Sequence, residues 1–221
     1  MSLRQPAGPV RAVALVLHGG RAVSMAPARP WRLAAVRMWP FAATLRRLDG
    51  VAVGLVRYRY RGWNDAAAHP VADAAEALEQ MSSRFPGTPV VLVGHSMGGR
   101  AALRVAGQES VVGVAALAPW LPEDEPVDQL VGRSVLIAHG DRERMTDPAL
   151  SLAYARRARA VTDRVARFEV HGDGHAMLRR AGDWHRLVRD FVAGTLGIEP
   201  LDPSLANAWA EAGPAGLQVP L

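Results

Sequence analysis

Gly94-His95-Ser96-Met97-Gly98-Gly99 is preceded by Pro89-Val90-Val91-Leu92-Val93 and followed by the segment running from Arg100 to Ala106. The first flank is an apolar run of strand length with β-branched residues; the second is Ala-rich and favours helix. A serine in G-x-S-x-G between a strand and a helix sits on a tight turn that lifts its hydroxyl above the sheet. Side chains at positions 94 and 98 would collide with the crossing helix, which accounts for the two glycines. Ser96 itself is expected in a strained backbone conformation.

Five more candidate strands lie outward from this turn, at 10–17, 51–58, 111–117, 134–138 and 164–170. Most are near-continuous apolar runs, the pattern of parallel strands covered on both faces. Helical patterns fall between them at 30–48, 71–85, 148–160 and 183–196, with Asp147 as the N-cap and Pro148 as the first residue of the third. Strand alternating with helix predicts an α/β fold: a mostly parallel sheet of about six strands flanked by helices on both faces. Residues 1–197 read as a single domain. The Ala/Pro-rich tail at 198–221 reads as an extended wrap or a mobile end with no assigned function.

At 221 residues the chain is long enough to bury roughly 70% of its unfolded surface in one core. With 49% hydrophobic and 21% charged residues it has an ordinary globular composition. The formal charge of +5 invites a nucleic-acid partner, but all 26 basic residues are arginine and they are scattered rather than gathered on one segment. No nucleic-acid role is therefore expected. The first ten residues lack the apolar core of a signal peptide, and no run approaches the ~20 apolar residues of a membrane span. A cytoplasmic location without membrane partners is the resulting expectation. There is no cysteine, so thiol chemistry does not arise. No metal-ligand spacing is present, and neither a metal nor a cofactor is expected.

In parallel sheets ligands bind at the carboxyl ends of the strands, and the chain places its Gly, His, Asp and Trp residues there. In these residues the chain resembles the α/β-hydrolase superfamily over roughly residues 10–196. Four matches carry the resemblance in order: the turn at Ser96, His18-Gly19-Gly20 after the first strand, an acidic turn after 134–138, and a late histidine. The resemblance implies Ser96 as nucleophile and His175, in Gly172-Asp173-Gly174-His175, as the base that activates it. His171, four residues earlier at the strand end, is the rival. For the acid, His139-Gly140-Asp141-Arg142-Glu143 carries glutamate where relatives often have aspartate. Glu143 is the expected residue, with Asp141 and then Asp124 as alternatives. The implied oxyanion donors are the backbone N–H groups of Met97 and Gly20, with Arg21 as an option for the second.

Only 121–133 separates Trp120 from the next strand, so no lid fits there. An uncovered site suits a small-molecule ester substrate with a small or exposed acyl group, hydrolysed through an acyl-enzyme. The same triad also serves acyl transfer, lactone or thioester cleavage and lyase chemistry, and a hydrolase-like scaffold can bind without catalysis. Arg21, Trp63 and Trp120 are the expected substrate-contacting side chains, with Met25 or Trp31 as further walls. Arg57, Arg59 and Arg61 alternate near the rim, where they either hold an anionic group or are solvated and paired. Oligomeric state is not legible.

Overall fold

A computed structural model of the chain describes residues 1–211 and 213–221. Each apolar run becomes a strand. β1 (Ser2–Arg4), β2 (Ala12–Leu17), β3 (Val51–Leu55), β4 (Val90–His95), β5 (Val111–Leu117), β6 (Ser134–Gly140), β7 (Val165–Val170) and β8 (Val219–Pro220) form one sheet. Its order is β1-β3-β2-β4-β5-β6-β7-β8, parallel except for the antiparallel edge pair β1–β3. The six inner strands are the expected ones. The two additions are edge strands of three and two residues, too short to leave a pattern in sequence.

Alternation along each strand divides the core in two. Val13, Leu15 and Leu17 of β2 face one side with Leu78, Leu103 and Tyr154; Ala12, Ala14 and Val16 face the other with Phe41, Phe168 and Trp184. The first side is covered by α3 (His69–Arg84), α4 (Met97–Arg104) and α5 (Pro148–Ala158). The second is covered by α2 (Trp39–Leu45), α6 (Ala181–Thr195) and α7 (Pro203–Ala210). α6 shows why these segments are helices: Trp184, Leu187, Val188, Phe191 and Val192 fall on one stripe and are all buried.

Two expectations change. The pattern at 30–48 is broken into α1 (Leu33–Val36) and α2, because Pro40 lacks an N–H and its ring would clash with the carbonyl one turn back. The segment after 197, expected as an extended or mobile tail, carries α7 and β8. Asp202 caps α7 by accepting from the Ser204 N–H at 2.9 Å, Pro203 occupies its first turn, and Val219 pairs with Phe168 on β7. No helix among the described residues is long and apolar enough to cross a membrane.

Candidate active site

The carboxyl ends of β2, β4, β5, β6 and β7 deliver their loops to one face. Between β4 and α4, Ser96 adopts φ 56° and ψ −120°, a conformation that non-glycine residues reach only under constraint. The constraint is steric. A Cβ on Gly94 would lie 2.3 Å from the Gly98 carbonyl oxygen, and one on Gly98 would lie 2.5 Å from the carbonyl oxygens of Leu17 and His18. The helix therefore crosses against both β4 and the end of β2, and Ser96 is left at the bend. Its hydroxyl faces an open pocket of about 540 Å³ shared with Gly20, Arg21, Met97, Trp120, Met145 and His175.

His175 stands on the loop after β7, and Glu143 on the loop after β6. Their Nδ1 and Oε2 atoms are 2.8 Å apart, with the glutamate side chain fully buried. Glu143 Oε1 accepts the backbone N–H groups of Arg144 and Met145, each at 2.7 Å. Burial alone would raise this carboxyl, but donation from His175 and from those amides outweighs it and holds the group at about 2. An ionised carboxylate only accepts, so the ring proton is on Nδ1 and Nε2 is left for the pocket. The rival groups pair separately. Asp141 Oδ2 lies 3.2 Å from His171 Nδ1 and its Oδ1 accepts the Gly172 N–H at 2.7 Å, on the exposed rim. Asp124 is exposed on the connection after β5.

Four groups beside the three principal residues set this arrangement. Arg142 donates its N–H to the Asp173 carbonyl at 2.9 Å, tying the acid loop to the base loop. The Asp173 carboxylate is buried and accepts from the Gly174 and Arg180 N–H groups and from Trp184 Nε1, at 2.8 to 3.0 Å, so the loop carrying His175 has its own internal anchor. His95, next to Ser96, donates Nε2–H to the His175 carbonyl at 3.0 Å, and the two rings lie against each other at a tilt of 49° with centroids 4.7 Å apart. Burial first, then the neighbouring His175 and Arg37, push the His95 ring down to about 3. It is thus a neutral spacer between the elbow and the base loop. His139 plays a matching part on β6. Its Nε2 bonds Thr146 Oγ1 at 3.1 Å, that hydroxyl donates to the Ala118 carbonyl, and the Glu143 loop is held between them.

Met97 opens α4, so its N–H is a first-turn donor without an intrahelical acceptor, and it faces the same pocket as Gly20. Arg21 is different. Its N–H is spent on the Arg61 carbonyl at 2.8 Å, so it is not free to serve as the second donor, although the residue lines the pocket. Trp120 is a wall, whereas Trp63 is 4% exposed and lies behind it, edge-on at 6.1 Å, with the Arg100 guanidinium 3.9 Å from its ring. The loop path, not the strand end, put Trp63 in the core. Met25 and Trp31 are exposed away from the pocket lining, and Arg59 is paired with Asp73.

A family model described as "Alpha/beta hydrolase family" matches residues 14–220. No curated protein matches the sequence. Solved structures share the fold at low identity. Est1E from Butyrivibrio proteoclasticus is 15% identical, with a TM-score of 0.68 over 88% of this chain and 93% of that one. XC6422 from Xanthomonas campestris, described as an a/b serine hydrolase without lid, is 18% identical with a TM-score of 0.66 over 91% and 89%. The esterase domain of a Rhodothermus marinus protein is 16% identical with a TM-score of 0.64 over 89% and 92%.

Proposed function

The chain belongs to the alpha/beta hydrolase family, and from that premise we propose that it is a serine hydrolase cleaving carboxylic esters with small or solvent-exposed acyl groups. One observation carries the reading: the buried Glu143 carboxylate fixes the His175 tautomer at 2.8 Å while the ring and Ser96 line a common pocket. Ser96 Oγ attacks the ester carbonyl carbon as its proton passes to His175 Nε2. The carbonyl electrons move to oxygen, where the Gly20 and Met97 N–H groups receive the oxyanion. On collapse the C–O bond breaks, and the leaving alcohol takes the proton from Nε2. A water molecule then adds to the acyl-enzyme with Nε2 accepting its proton; the carboxylic acid leaves, and Ser96 recovers its hydrogen. Glu143 remains ionised and stabilises the imidazolium formed at each step. The openness of the pocket, with no lid among the described residues, favours short or exposed acyl groups over long chains held under a cover.

The test is intact mass after exposure to a fluorophosphonate, in which an activated serine displaces fluoride. A single adduct on wild type and none on Ser96→Ala is expected. Folded wild-type protein that takes no adduct would overturn the reading in favour of a binding scaffold.

A further inference from the structure

Arg21, Arg29, Arg32 and Arg61 line one cavity of about 250 Å³ beside the Gly19-Gly20 loop. Among the described residues no carboxylate lies within salt-bridge distance of any of the four, as is true of most of the 26 arginines, eight of which are so paired. Arg21, Arg29 and Arg32 are exposed and Arg61 is half-buried, so an anion could reach all four from solvent. Backbone bonds hold Arg21 to the Arg61 segment, Arg21 N–H to Arg61 O at 2.8 Å, Trp63 N–H to Arg21 O at 2.8 Å and Arg61 N–H to Ala26 O at 2.9 Å, and the stretch carrying Arg29 and Arg32 is joined by Ala28 N–H to Arg59 O at 3.2 Å and Arg32 N–H to Arg29 O at 3.1 Å. Asn64 Oδ1 adds a bond from the Ser24 N–H at 2.8 Å. The fold thus gathers like charges and fixes their backbone, at an electrostatic cost that falls on Arg61, whose guanidinium is pushed down first by Arg32 and then by burial and Arg21. An oxyanion placed among them removes that repulsion and meets donors in the planar fork suited to carboxylate or phosphate.

Gly20 and Arg21 line both this cavity and the pocket of Ser96. The two cavities are thus neighbours, separated by Gly20 and Arg21. We propose that the cavity is an anion subsite of the active site, and that the enzyme's substrate is an ester bearing a second, anionic group, carboxylate or phosphate, on the part that extends past Gly20. This rests on the serine-ester reading above and adds to it the charge of the substrate.

The experiment compares mono-4-nitrophenyl esters of glutaric, adipic and suberic acids with neutral alkanoate esters of equal length, at low ionic strength. For the best-fitting length, the ratio of kcat/KM, anionic over neutral, is expected to be about 10 or more in wild type, the range of one charge-assisted hydrogen bond. The ratio should fall toward one in Arg32→Gln and Arg61→Gln and in high salt. Arg156→Gln, an equal loss of charge on α5, should retain it. A ratio near one in wild type at every length, or one that survives in both cavity variants, overturns the proposal. If wild type neither hydrolyses an ester nor takes the fluorophosphonate, the serine-ester reading has failed on its own. Calorimetry with glutarate and with inorganic phosphate then decides the subsite. Binding that Arg32→Gln abolishes supports it and shows which anion it prefers, and no binding of either anion overturns it.

Discussion

Two acid–histidine pairs stand side by side on adjoining loops, and they differ in burial. Glu143–His175 is covered, and His175 lines the same pocket as Ser96; Asp141–His171 lies on the exposed rim, where solvent screens it. Glu143→Gln should therefore lower kcat by ~10³–10⁴, because an amide can donate to Nδ1 and favour the wrong tautomer, while adding no charge to stabilise the imidazolium. Asp141→Asn should change kcat by no more than a few-fold. Steady-state rates on one ester separate the two, and the reverse order would move the acid to Asp141. The choice was open in sequence for a physical reason. Asp141 and Glu143 are two residues apart in a turn, and which carboxylate points inward depends on the Arg142–Asp173 backbone bond between loops far apart in the chain. Glu143 is also held by its own local amides, Arg144 and Met145, which a glutamate reaches because its side chain is one methylene longer.

The connection from β5 to β6 is an element with no regular cover, and a buried clamp holds it down. Glu125 is fully buried there; it accepts from Arg100 Nε at 2.6 Å and from Arg104, both on α4. Arg100 also lies against Trp63 and, 4.7 Å from its ring, against Trp120, so the clamp supports the pocket wall. Glu125→Ala should cost about 3–5 kcal/mol, the penalty for a buried charge left without its partner. Urea unfolding measures it, and a loss below about 1 kcal/mol would mean that this connection is held by its apolar contacts alone. The clamp was invisible in sequence because Leu121 to Arg133 has no period and Glu125 sits among exposed acids. Elements with a period were legible: the six inner strands and the helices α3, α5 and α6 come within a few residues of their expected bounds. α7 was missed although Asp202-Pro203 repeats the cap signature of Asp147-Pro148, because its Ala/Pro-rich surroundings hid it. β1 and β8 exist only through pairing with distant strands, which no local pattern reports.

At the scale of the whole molecule, the sheet brings two buried histidines to the end where the loops meet, and the fold is therefore expected to lose stability in acid. His95 and His139 end β4 and lie near the end of β6; burial is the first cause of the drop in each, with Arg167 adding to it at His139, and both rings stand at about 3 against an ordinary 6.5. A folded value below the unfolded one means that the unfolded chain binds more protons between the two. The stabilisation is then complete above pH 6.5 and is lost as the pH falls toward 3. Glu143, at about 2 against 4.5, acts in the same direction over a lower window. Stability is expected to fall by about 1.4 kcal/mol per pH unit for each ring below about pH 6. His139→Gln, which can still donate to Thr146, should remove one ring's share of the slope. Urea midpoints of the two proteins between about pH 7 and 4.5 read this directly. Parallel curves would mean that His139 protonates as readily in the folded state as in the unfolded one. Because the same rings brace the loops of Glu143 and His175, the acid transition should reach the carboxyl-end face first, with amides at 141–147 and 171–178 losing protection, relative to intrinsic exchange, at a higher pH than those in β4 and β5.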